Sequence, residues 1–143
     1  MHQDAIFFPM MALVAWTFTV LALIPFQRVR AALRKQVVAD DFKLGESARV
    51  PPAVSIPNRN YMNLLELPVL FYAACLTLFV TSQVDSPAQA LAWAYVALRL
   101  AHSLVHLSYN KVMHRLTFFA ASNLVLGVIW VRLFIALSKA AGG

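Results

Sequence analysis

Four apolar stretches, residues 5–26, 61–83, 88–109 and 117–138, account for most of this chain. A helix rises about 1.5 Å per residue and the hydrocarbon layer is roughly 30 Å thick, so a crossing needs about 20 apolar residues. Each stretch has about that length. The sequence therefore predicts an all-α integral membrane four-helix bundle, a single domain over residues 1–143, with one loop of any size at residues 27–60. Composition agrees: 61% of the 143 residues are hydrophobic and 13% are charged. A soluble domain of this length exposes too much surface to carry so apolar a composition.

The first stretch is read as a retained helix. Its leader, Met1-His2-Gln3-Asp4, lacks the positive charge of a secretory signal, and no small-residue cleavage site follows. Cys75 is the single cysteine and lies in mid-span, with no basic neighbour in sequence to activate it, so a packing role is expected. The net charge of +6 has a topological origin. Arg28, Arg30, Arg34, Lys35, Lys43, Arg49 and Arg59 fall in or beside the first loop, and Lys111 and Arg115 beside the third. The positive-inside bias makes both loops cytoplasmic and both termini non-cytoplasmic. Anionic headgroups are the ordinary partner of such charge, and nucleic acid is not expected.

Pro9 and Pro25 mark expected kinks or ends in the first span. After it the sequence reads as a basic helical extension over residues 27–38, a polar turn at Asp40-Asp41, and a stop at Val50-Pro51-Pro52. Pro52 and Pro57 make an extended, stiff approach to the second span the expectation.

The spans carry polar residues at helical spacing. Arg59, Asn63 and Glu66 follow i, i+4 and i+7 at the start of the second, just before Pro68, which weakens the helix and frees a carbonyl beside them. In the third, Arg99, His102, His106 and Tyr109 follow i, i+3, i+7 and i+10, with Tyr95 preceding them by four. An arginine near mid-membrane costs at least about 2.5–3.5 kcal/mol, so this stripe must face protein or a water-filled cleft. Arg115 enters the fourth span at the same end as Arg59, within expected reach of Glu66, whereas Arg132 near the other end is expected to snorkel to headgroups.

Three cations, Arg59, Arg99 and Arg115, surround one carboxylate, Glu66. Helix-tying ion pairs explain one such pair, but the excess of cations favours an anionic ligand. His102 and His106 form an H-x-x-x-H pair, which is too few ligands for a metal site, and no metal is expected.

These residues resemble the family of membrane-associated proteins in eicosanoid and glutathione metabolism (MAPEG), which includes microsomal glutathione transferase, leukotriene C synthase and microsomal prostaglandin E synthase. The likeness spans nearly the whole chain. The family's second-helix signature is matched by Arg59, Asn63, Glu66 and Pro68, and its third-helix signature by Arg99 and His102. Its thiolate-stabilising arginine falls on Arg115, and its first-helix arginine on Arg28 or Arg30. His106 departs from the pattern, standing where mammalian members usually carry a tyrosine, and the first span lacks an acidic residue that some members have.

The resemblance implies a homotrimer that binds glutathione as co-substrate at subunit interfaces near the cytoplasmic leaflet. It implies catalysis by Arg115 and ligand contacts from Arg59, Asn63, Glu66, Arg99, His102, His106, Tyr109 and Arg28 or Arg30. Glu66 would accept from the ligand's ammonium or from a peptide N–H. The other substrate would be a lipophilic electrophile or hydroperoxide drawn from the bilayer. A non-catalytic lipid-binding membrane scaffold of the same fold is the alternative.

Overall fold

The computed structural model describes residues 2–142; Met1 and Gly143 lie outside the described residues. All regular structure among the described residues is helical: two 3-10 turns (Gln3–Ile6 and Ala39–Phe42) and five α-helices, α1 (Phe7–Leu33), α2 (Pro52–Leu65), α3 (Pro68–Val80), α4 (Ser86–Leu107) and α5 (Val112–Ala141). α2 and α3 form one interrupted crossing, so four helices are long and apolar enough to span a membrane.

α1, α2 and α5 extend beyond their apolar stretches, whereas α3 and α4 stop short of the far ends of theirs. α1 begins after a 3-10 turn, Gln3–Ile6, and Pro9 sits in its first turn, where the missing N–H loses nothing. Pro25 lies inside α1 without ending it. The basic extension is helical only to Leu33. Lys35 then takes φ 56°, with its N–H on the Ala32 carbonyl and that of Gln36 on Ala31, which closes the helix in a left-handed turn. The expected extended approach to the second crossing is instead helical. Pro51 is the extended N-cap residue, Pro52 opens α2 at N1, where its fixed φ is pre-organised, and Pro57 is buried within the helix.

The packing inverts that of a soluble protein. Arg99, His102, Ser103, His106, Asn60 and Ser122 are buried inside the bundle, while Phe18, Leu33, Leu124 and Phe134 stand exposed on its outside. The apolar core joins Leu13 and Val20 of α1, Phe71 and Cys75 of α3, Tyr95 of α4, and Leu126 and Ile129 of α5. Phe71 and Tyr95 stack with ring centroids 4.5 Å apart. Ser103 Oγ accepts from Trp16 Nε1 at 2.8 Å and from Asn60 Nδ2 at 2.6 Å, tying α1, α2 and α4 together.

At the end away from the basic loop, Gln3 exchanges hydrogen bonds with the Val84 backbone, and Gln89 donates to the Ala5 carbonyl. Arg132 does not simply snorkel there. It pairs at 2.8 Å with Asp85, whose other carboxylate oxygen caps α4 by accepting the Ala88 N–H at 2.8 Å.

The loop joining α1 to α2 folds around Asp41. This buried carboxylate accepts from the Val38 N–H (2.9 Å), Ser47 Oγ (2.7 Å) and Arg49 Nη2 (2.9 Å), while its carbonyl accepts the Ser47 N–H. Val37 and Val50 pack beneath it on Ala31 and Val54. The Val38 N–H, then the Ser47 hydroxyl and Arg49, hold the Asp41 carboxyl below its usual range.

Two outcomes follow from this packing. Ser103→Ala strands the donors of Trp16 and of buried Asn60, and thermal unfolding in detergent is expected to show a loss of about 1–2 kcal/mol. Because the folded pKa of Asp41 is depressed, its contribution is complete above the unfolded value near 3.8 and is lost as pH falls through the folded value. Limited proteolysis of the loop is therefore expected to accelerate below that range in the wild type, and already at neutral pH in Asp41→Asn.

Candidate functional site

The site is built where the second crossing breaks. Pro68 has no N–H to donate and opens α3 at N1, while Glu66 ends α2 with ψ −97°. The Asn63 carbonyl in the last turn of α2 accepts from Arg99 Nη2. Arg99 is 0% exposed, lies 5.7 Å from the Phe119 ring centroid, and has no hydrogen-bond partner at Nε or Nη1 among the described residues. It braces the break from within the bundle.

One turn further along α4, His102 Nδ1 lies 3.0 Å from the Arg115 carbonyl. A carbonyl only accepts, so Nδ1 carries the hydrogen and the neutral ring keeps its lone pair at Nε2. Among the described residues Nε2 is buried without a partner, as is Nδ1 of His106 on the next turn. Arg115, at the start of α5, donates from Nη1 to Asn110 Oδ1 at 2.8 Å, and its buried Nε makes no bond among the described residues.

These elements line a half-open cavity of about 630 Å³, at the end of the bundle that carries the basic loop. That volume is within the range of about 300–1,000 Å³ usual for small-ligand sites. Arg59, Asn63, His106 and Arg115 line it together, contributed by α2, α4 and α5. A second recess of about 230 Å³ shares Asn63 and Arg115 and adds His102, Val112, Leu116 and Phe119. A polar chamber therefore meets an apolar one at Arg115.

The other residues singled out from sequence lie elsewhere. Arg99 is walled off behind the break, and Glu66 is exposed on the outside of the chain, lines neither space and makes no ion pair among the described residues. Tyr109 does not continue the α4 stripe. The helix ends at Leu107, and the Tyr109 hydroxyl meets His114 Nδ1 at 2.9 Å on the surface. Arg28 lies 3.5 Å from Glu46 and 4.3 Å over the Phe42 ring, and Arg30 lines a separate recess with Gln27 and Arg34.

Sequence reasoning missed the remaining wall. Glu46, Ser47 and Ala48 from the loop, Ser55 and Asn58 from α2, and Asn110 also line the main cavity. Ser55 and Asn58 share the α2 face of Arg59 and Asn63 at helical spacing, so that part was readable. The loop residues arrive only through the fold around Asp41, which no periodicity reports.

Polar groups without partners among the described residues, two cations and amide side chains around one half-open space suit a small, multiply charged ligand with carboxylates. The adjoining Val112, Leu116 and Phe119 suit an apolar one.

Comparison with known proteins finds no match among curated proteins or among solved structures. The MAPEG family model, by contrast, matches residues 6–135, nearly the whole chain, and the protein belongs to the MAPEG family.

Proposed function

We propose that this protein is a membrane-bound, glutathione-dependent transferase or peroxidase acting on lipophilic electrophiles or hydroperoxides. One observation carries the reading: Arg115 stands at the junction of a polar cavity and an apolar recess, with an unpartnered Nε. The family includes glutathione-dependent enzymes and other members, and the chemistry of the cavity favours the former here.

Glutathione has two carboxylates, an ammonium, two peptide groups and a thiol. Arg59 holds a carboxylate through paired N–H bonds, and Asn63 and His106 bond the ligand backbone. Arg115 stabilises the sulfur as thiolate, the nucleophilic form, since an adjacent cation lowers a thiol pKa. The partner substrate enters the recess of Val112, Leu116 and Phe119 from the bilayer. Sulfur then bonds to its electrophilic carbon as the leaving group departs. With a hydroperoxide, the thiolate takes the terminal oxygen as the O–O bond breaks and the alkoxide leaves as the alcohol; a second glutathione then displaces water from the sulfenic acid to give the disulfide. Arg99 acts indirectly, by fixing the Asn63 turn.

Assembly completes the site. The chain forms a homotrimer with the cavities at subunit interfaces on the cytoplasmic side, the side the loop charges favour. The exposed Glu66 and Arg59 then meet a neighbouring copy or the ligand it helps enclose, with Glu66 accepting a hydrogen bond from it.

Purified protein in detergent, mixed with glutathione and a chlorinated nitroarene, is expected to turn over. Binding without turnover would instead identify a lipid-binding scaffold. Arg115→Ala is expected to lower kcat/KM by about 10²–10³-fold, the usual loss of one charge-stabilising donor, and to abolish the thiolate absorbance of bound glutathione. Its helices and oligomer size should survive, because among the described residues the Arg115 side chain bonds only Asn110 while the contact to His102 uses its backbone. Wild-type-like thiolate absorbance in that variant would remove Arg115 from the mechanism.

A further inference from the structure

Among the described residues, one side chain alone holds the Arg115 guanidinium. Nη1 donates to Asn110 Oδ1 at 2.8 Å, and Nε is buried without a partner. Nη2 is neither bonded among the described residues nor buried, so it is the nitrogen open to a ligand. Asn110 is itself anchored. It takes φ 49°, a left-handed conformation that asparagine tolerates better than most residues, and its N–H returns to the Val105 carbonyl at 2.8 Å. The Tyr109 hydroxyl and His114 Nδ1, 2.9 Å apart, brace the same turn on the surface. Backbone and surface pair close the turn, which leaves the Asn110 side chain to serve Arg115.

Both residues line the polar cavity, and Arg115 also lines the apolar recess. The other titratable groups around these spaces are Glu46, Arg59, His102 and His106, and Lys111 and His114 flank the turn. None of them bonds the Arg115 side chain. An arginine side chain has many rotamers, and a cation free to swing between two chambers gives up the advantage of a fixed charge. An amide oxygen fixes the guanidinium without cancelling its charge, whereas a carboxylate in that place would fix it and neutralise it.

We infer that Asn110 is a positioning residue, acting through Arg115 by holding its guanidinium, with the full charge, against the ligand sulfur. The inference rests on the glutathione reading above.

The test is a pH titration of the thiolate absorbance of bound glutathione, at saturation, on the purified protein in detergent. Asn110→Gly accepts the left-handed turn but lacks the anchor, and the pKa of the bound thiol is expected to rise by about one pH unit. Below the wild-type value kcat should then fall about tenfold with the thiolate fraction. In that range glutathione binds as the thiol, and its Kd should change by less than about threefold. Asn110→Asp keeps an acceptor but cancels the charge, and is expected to raise the thiol pKa at least as far. In an Arg115→Ala background, Asn110→Gly should cause no further rise, because the two residues act as one unit. A wild-type thiol pKa in Asn110→Gly, or the same rise with and without Arg115, would overturn the inference and leave the glutathione reading standing. Should Asn110→Gly not fold, Asn110→Asp decides alone, and a wild-type thiol pKa in it overturns the inference. Wild type that binds glutathione only as the thiol would overturn the role of Arg115 and of Asn110 with it. Failure of wild type to bind glutathione would overturn that reading and the inference together.

Discussion

A carbonyl released inside a membrane has no water to turn to, and this structure is organised around one such group. Pro68 interrupts the second crossing, and the Asn63 carbonyl is taken up by Arg99, a cation fully buried among the helices. Each group is costly in hydrocarbon by itself; together they satisfy part of each other's need. The contact fixes the last turn of α2 against α4 and so sets the direction in which Arg59 and Asn63 face. His102 repeats the device one turn on, using the Arg115 carbonyl to set the start of α5. The cavity is the space left between these two side-chain-to-backbone clamps.

The polar stripe of α4 serves two purposes along its length. Tyr95 and Arg99 are sealed in the bundle, His102 faces the apolar recess, and His106 faces the polar cavity. One helix thus passes from structural bracing to the wall of the cavity within two turns. Arg115 is reached from both spaces.

Much of this was legible in the residues because period and hydropathy are local. The four crossings, the buried face of α4 and the break at Pro68 all follow from spacing and from the cost of polar groups in hydrocarbon. The misread parts depend on context. Pro52 and Pro57 suggest an extended segment, yet a proline at N1 forfeits no bond and α2 begins there. Tyr109 has the spacing of the α4 stripe but falls beyond the helix end. Arg132 looks like a snorkelling residue until the turn before α4 brings Asp85 to it. Glu46 gave no signal, because its place in the wall follows from a loop closed by Asp41 on residues six and eight positions away.

Hydrogen–deuterium exchange of the purified protein, with and without saturating glutathione, locates the ligand without relying on activity. Binding in the cavity requires slower exchange in the loop around residues 46–51 and in the turn at 108–111, with the opposite end around residues 82–86 unchanged. Protection confined to that opposite end, or none in either loop although glutathione binds, would contradict the assignment of the cavity as the glutathione site.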